Sequence, residues 1–193
     1  MLATMPMLIY KPCRADMKGF VKFWSSQYNW IVEPAIYDDN IGRELTEGRV
    51  WKLFRWKNGG SLSKLKEKTV RQNFVERRAE LKGLPKNLNV EALLDRFSQG
   101  GAIWRIFWLH CWQPERFPIY DQHVHRAMTF IKTGAWEEIP STNQRKVNAY
   151  CQEYLPFHAR FKSVDSRSVD KALWAFGRYL KKPDFPVRPL NGK

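Results

Sequence analysis

Apolar residues recur along most of this chain at three- and four-residue intervals, the spacing that puts them on one face of a helix. Asp16 is placed to cap a segment whose apolar face carries Phe20, Val21, Phe23 and Trp24, running to about Tyr28. Thr46 precedes a second segment with Val50, Trp51, Leu53 and Phe54, ended by the breaker "KNGG". Ser61 opens a long third one through Leu62, Leu65, Val70, Phe74 and Val75, with Lys64, Lys66, Lys68, Arg71, Arg77 and Arg78 on its outer side. "GLP" breaks the chain, and Asn89 caps a short helix with Val90, Leu93, Leu94 and Phe97.

The "QGG" at 99–101 leads into "AIWRIFWLHCW", 102–112, which is apolar almost all round and is therefore expected at the buried centre. Trp104, Trp108 and Trp112 form a stripe along it, read as core first. "QPERFP" is followed by a helix capped by Asp121. Ser141 and Gln144 have the spacing of a capping box, and "SVDKALWAFGRYLKK" is amphipathic with basic residues in its last turn. No period-two strand of useful length and no repeat is present. The expected fold class is all-α, with about seven or eight helices.

Charge changes the picture. The 193 residues carry 33 Lys and Arg against 19 Asp and Glu, a formal net charge of +14, together with nine tryptophans. Such an excess favours a polyanionic partner, since each neutralised phosphate releases counterions, and aromatic faces offer platforms for unstacked bases. Cys13, Cys111 and Cys151 lie far apart without a CxxC pair, so neither a zinc site nor a disulfide framework is expected; they read as buried thiols of a cytoplasmic protein. The N-terminal stretch lacks a basic n-region and reads as no signal peptide, and the aromatic helix is too short to span a bilayer.

The candidate chemistry lies in "RFPIYDQHVHRAMTFIKTG", 116–134. Asp121 is a plain helix cap on position alone. His123 and His125 point to different sides of one helix and make no metal pair, and Arg126 reads as an ion-pair partner. "YDQHVHRAM" resembles the V-D-T-H-V-x-R-V segment of the helix-hairpin-helix DNA glycosylases, the superfamily of endonuclease III, with Asp121, His123, Val124 and Arg126 on the matching positions. "FSQGGAIWRIF" is similar to that family's glycine-rich hairpin, and "FWSSQYNW" to its L-S-x-Q-T element.

The resemblance implies that Asp121 is the catalytic carboxylate, helped at the helix start by His123, between lobes formed by 31–120 and by 1–30 plus 121–193. It implies phosphate contact at the backbone of Gly100, Gly101 and Ala102, and Gln27 as the plug that fills the gap left by a flipped base. Trp30, Tyr37 and Trp104 are the candidate walls of the base pocket. The hairpin departs from the family in lacking the proline and first glycine. Ile103 and Trp104 stand where bifunctional members carry a lysine nucleophile, and the four-cysteine iron–sulfur loop is missing.

The implied protein is a monomeric, monofunctional glycosylase without cofactor or metal, acting on double-stranded DNA that contains a damaged or modified base, in repair or in defence against modified phage DNA. The alternative is a non-catalytic DNA-binding module on the same scaffold. A basic helical protein that binds RNA or a protein partner is a further one.

Overall fold

The computed structural model describes residues 16–85 and 87–181, and among them every regular element is helical. The chain forms α1 (Met17–Ser26), α2 (Pro34–Asp38), α3 (Glu47–Asn58) and α4 (Lys64–Val70), the last continued by a π-helical turn at Arg71–Val75. Next come α5 (Arg78–Lys82), α6 (Val90–Arg96), α7 (Ala102–Trp112) and α8 (Gln122–Thr133). α9 (Asn143–Asn148) runs through a second π-helical turn, Ala149–Tyr154, into α10 (Leu155–His158), and α11 (Ser166–Leu180) ends the described chain. Among the described residues no helix is long and apolar enough to cross a membrane.

The helix starts follow local hydrogen-bond chemistry. Asp16, Thr46, Asn89 and Asp121 each accept backbone N–H bonds from the first turn of the helix they precede, which satisfies donors that have no intrahelical partner. Two expected starts move. Ser63, not Ser61, caps α4, because Asn58 Nδ2 holds the Ser61 carbonyl at 2.7 Å and keeps the turn after α3 extended. The helix begins later, and Leu65 faces solvent at 75% exposure instead of joining the core. Thr142, not Ser141, caps α9, and Gln144 reaches forward to Asn148 Oδ1 at 3.0 Å, so no reciprocal box forms. Phe23 is likewise exposed, on the outer side of α1.

Helix α7 is the buried centre. Phe107 and Trp108 pack among Phe54, Phe74 and Phe97, and Arg105 donates from Nη1 to the Leu94 carbonyl at 3.1 Å. Against this centre lie α3, α6 and α9, while α1 and α8 each pack on α11. Gly177 makes the α8–α11 crossing possible. A Cβ built there would sit 1.8 Å from the His123 carbonyl oxygen. Cys111 is buried and Cys151 half-buried, and burial pushes both thiols up, Cys151 to about 12. Cys13 and all but the first residue of the basic tail at 181–193 fall outside the described residues.

Candidate active site

Asp121 is delivered to its place by the extended run before it. Phe117, Ile119 and Tyr120 are buried, and Tyr120 is anchored by Tyr150, Tyr154 and a 2.7 Å bond between its hydroxyl and His125 Nδ1. With its neighbours held, the carboxylate is aimed into a cleft of about 360 Å³. Oδ1 accepts from the His123 and Val124 N–H groups at 2.9 and 3.1 Å. Oδ2 accepts from Lys57 Nζ at 2.9 Å, in the last turn of α3. The two side chains retain 17% and 12% exposure. Burial pushes the carboxyl up, but Lys57, His123 and the cap bonds outweigh it and hold Asp121 below its ordinary range.

The cleft walls are aromatic: Tyr28, Trp30, Trp56, Trp104 and Trp174 line it with Ile103. Trp30 is fixed by a 2.9 Å bond from Nε1 to the Trp56 carbonyl and by edge contact with Trp174. It lies against Gly59, whose φ of +81° ends α3. Trp104 rests on Phe54, with Lys66 Nζ 6.0 Å above its ring.

Tyr37 is a correction. It is 3% exposed, buried against Trp56, with its hydroxyl 2.6 Å from His110 Nε2, and it is no part of the cleft wall. His110 Nδ1 faces the Phe117 carbonyl at 2.7 Å, which can only accept; Nδ1 therefore carries the proton and Nε2 accepts from the tyrosine. Burial holds this histidine at about 3, so the ring is neutral.

The hairpin differs from expectation in one donor. Ala102 is buried and its N–H is taken by Asn143 Oδ1 at 3.0 Å, which removes it as a phosphate ligand. Gly101 caps α7 from an exposed position, and Gly100 turns the loop with φ +86° against Thr69, Asn73 and Phe74. The loop therefore abuts the basic α4 segment. Within that segment Arg77 is paired with Glu80 at 2.7 Å and Arg78 with the Val75 carbonyl, while Lys64, Lys66, Lys68 and Arg71 are exposed on the outer face.

Gln27 ends α1 on the surface, its Nε2 3.2 Å from Ser26 Oγ; the next residue, Tyr28, lines the cleft while Gln27 does not. His123 lines the cleft, its ring edge-on to Trp174 and its Nδ1 accepting from Arg126 Nη1 at 3.1 Å. Burial, Arg126 and Lys57 lower its pKa against the pull of Asp121. Arg126 is fully buried and ion-paired with Glu138 at 2.9 Å. His125 is buried inside α8 and faces away from the cleft.

Four charged residues of the cleft, Lys57, Lys146, Arg167 and Asp170, have no counterpart in the sequence reading. Lys57 sits in a stretch read only as a helix breaker, and nothing local marks it. Asp170 and Arg167 both come from α11. For Asp170 a signal exists: a carboxylate in register with Leu173 and Gly177 on the apolar stripe of an amphipathic helix. The chain matches no family model, no curated protein and no solved structure.

Proposed function

We propose that the protein is a DNA N-glycosylase that hydrolyses the bond between deoxyribose and a damaged or modified base. Breaking that bond builds positive charge on the sugar, and an ionised carboxylate in a water-poor cleft is the group that steadies it. The observation that carries the reading is Asp121 itself: half-buried, held ionised, and opening on a cavity walled by aromatic rings. A base must leave the duplex to reach such a group, and flat apolar walls offset the lost stacking. The division into lobes at 31–120 and at 1–30 plus 121–193, the contact of the 99–101 loop with phosphate and the entry of Gln27 into the vacated stack belong to the same reading. The formal charge of +14 suits the partner.

A second reading has its own support. Both oxygens of Asp121 already hold partners, as they would in a purely structural cap. On that reading the scaffold binds DNA without chemistry. The deciding experiment incubates the purified protein with duplexes carrying oxidised, alkylated or phage-type hypermodified bases and scores abasic sites by alkaline strand scission. Base release that Asp121→Asn abolishes, with DNA affinity kept, supports the enzyme; DNA binding without release from any of these duplexes supports the module.

A further inference from the structure

Asp170 is 3% exposed on the apolar side of α11. A carboxylate so placed costs several kcal/mol unless its lone pairs are satisfied. Oδ2 accepts one long bond, 3.4 Å from the Ile119 N–H, and Oδ1 has no hydrogen-bond partner. His158 Nε2 is the nearest candidate at 3.8 Å, beyond bonding reach, and is itself without a hydrogen bond. Three residues earlier on the same helix, Arg167 stacks its guanidinium 4.1 Å over Tyr37, and its buried Nε also lacks a partner. Both side chains line the cleft that holds Asp121. An orphaned acceptor and an orphaned donor thus lie on neighbouring turns of one helix, just behind the surface of one cavity and below aromatic walls. Buried polar atoms left open in this way are sites for a polar ligand.

We propose that Arg167 and Asp170 form the floor of the cleft and read the edge of a heterocyclic base that presents a carbonyl next to a ring N–H, the lactam edge of uracil, thymine, hypoxanthine or guanine. The guanidinium donates to the carbonyl oxygen, and the carboxylate accepts from the adjacent N–H. An amidine edge, as in adenine or cytosine, turns a donor toward the guanidinium and leaves a buried group unpaired, the arrangement that discriminates most strongly. The inference rests on the reading of the cleft as a base pocket and adds the class of base.

Protonation gives an independent handle. Burial raises Asp170 to about 7, against the pull of Arg167, the Ile119 amide and Lys57, with Asp121 pushing the same way as burial. The other groups facing it titrate elsewhere: burial holds His158 at about 4 and raises Tyr28, Tyr37, Tyr150 and Tyr154, and Asp121 and His123 lie below their ordinary values. A base N–H is accepted by the ionised form, so lactam bases should bind better above neutrality than below it.

The test titrates the full-length protein with free uracil, hypoxanthine, cytosine and adenine, following tryptophan fluorescence, at about pH 8 and about pH 6. The expected result is saturable quenching by uracil or hypoxanthine, roughly tenfold tighter than by cytosine or adenine, and weaker at the lower pH. Asp170→Asn, which can still accept from Ile119, and Arg167→Met, at a half-exposed position, should each remove the preference without lowering the unfolding temperature by more than a few degrees. Absence of quenching by any base, equal affinity for both classes, or a preference that survives both substitutions overturns the proposal. Wild-type strand scission on the same preparation separates the two claims. Selective base binding without excision removes the enzyme and leaves the floor; excision with no lactam selectivity removes the floor and leaves the enzyme.

Discussion

Lys57 Nζ lies 2.9 Å from Asp121 Oδ2 and ties the last turn of α3 to the first residue of the α8 cap. This pair spans the cleft and decides the charge state of the group on which the proposed chemistry depends.

Lys57→Met should therefore move a pH profile. Asp121 is held below its ordinary range, so its ionised form persists until the pH falls through that lowered value. Without Lys57 the burial that opposes ionisation meets less resistance, and the pKa rises. The acid limb of base excision should shift to higher pH, with activity at neutrality reduced roughly ten- to a hundredfold. An unmoved acid limb would show that the lysine has no electrostatic role at the carboxylate.

Stability separates the two jobs of Asp121. Asparagine caps a helix about as well as aspartate, so Asp121→Asn should keep the bonds to the His123 and Val124 N–H groups and cost little beyond the lost ion pair. Asp121→Ala removes the cap too, and should cost about 1–2 kcal/mol more in denaturant unfolding. Equal stability of the two variants would mean that the cap contributes nothing. The native aspartate also makes a pH-dependent contribution: its lowered pKa stabilises the fold above the unfolded value, and that stability is lost as pH falls through the folded one.

Gly177→Ala should be damaging for its size. The added methyl meets the His123 carbonyl at 1.8 Å, a backbone atom that no rotamer change can move. Separation of α8 from α11 should cost about 1–3 kcal/mol or more in thermal or denaturant unfolding, and base excision should fall because His123 is two residues from Asp121. A variant as stable and active as the native chain would contradict the close crossing.

Hydrolysis leaves no covalent bond between protein and DNA. Incubation with abasic-site DNA under borohydride should therefore trap no complex. Lys57 is the amine to examine should one appear, since it stands beside Asp121 although the hairpin positions Ile103 and Trp104 carry none. Trapping that Lys57→Met abolishes would replace hydrolysis by imine chemistry at this cleft.

Local chemistry in the sequence determined the helical class, the buried aromatic α7 and the caps at Asp16, Thr46, Asn89 and Asp121, because each rests on interactions within a few residues along the chain. That short-range pattern gave Asp121 only as a cap; the resemblance of "YDQHVHRAM" to a family segment is what marked it as the group to follow. The pattern misplaced Ser61 and Ser141 by one or two residues, where neighbouring side chains competed for the same backbone groups. Folding decided everything that depends on where a side chain meets a distant one. Lys57 reaches Asp121 across 64 positions, Asn143 takes the Ala102 N–H across 41, and Tyr37 turns inward to His110 across 73. Asp170 and Arg167 become cleft residues only because α11 packs on α8 at Gly177. Periodicity tells which face of a helix is buried, but not which helix it meets, and the charges of a cleft are set by that meeting.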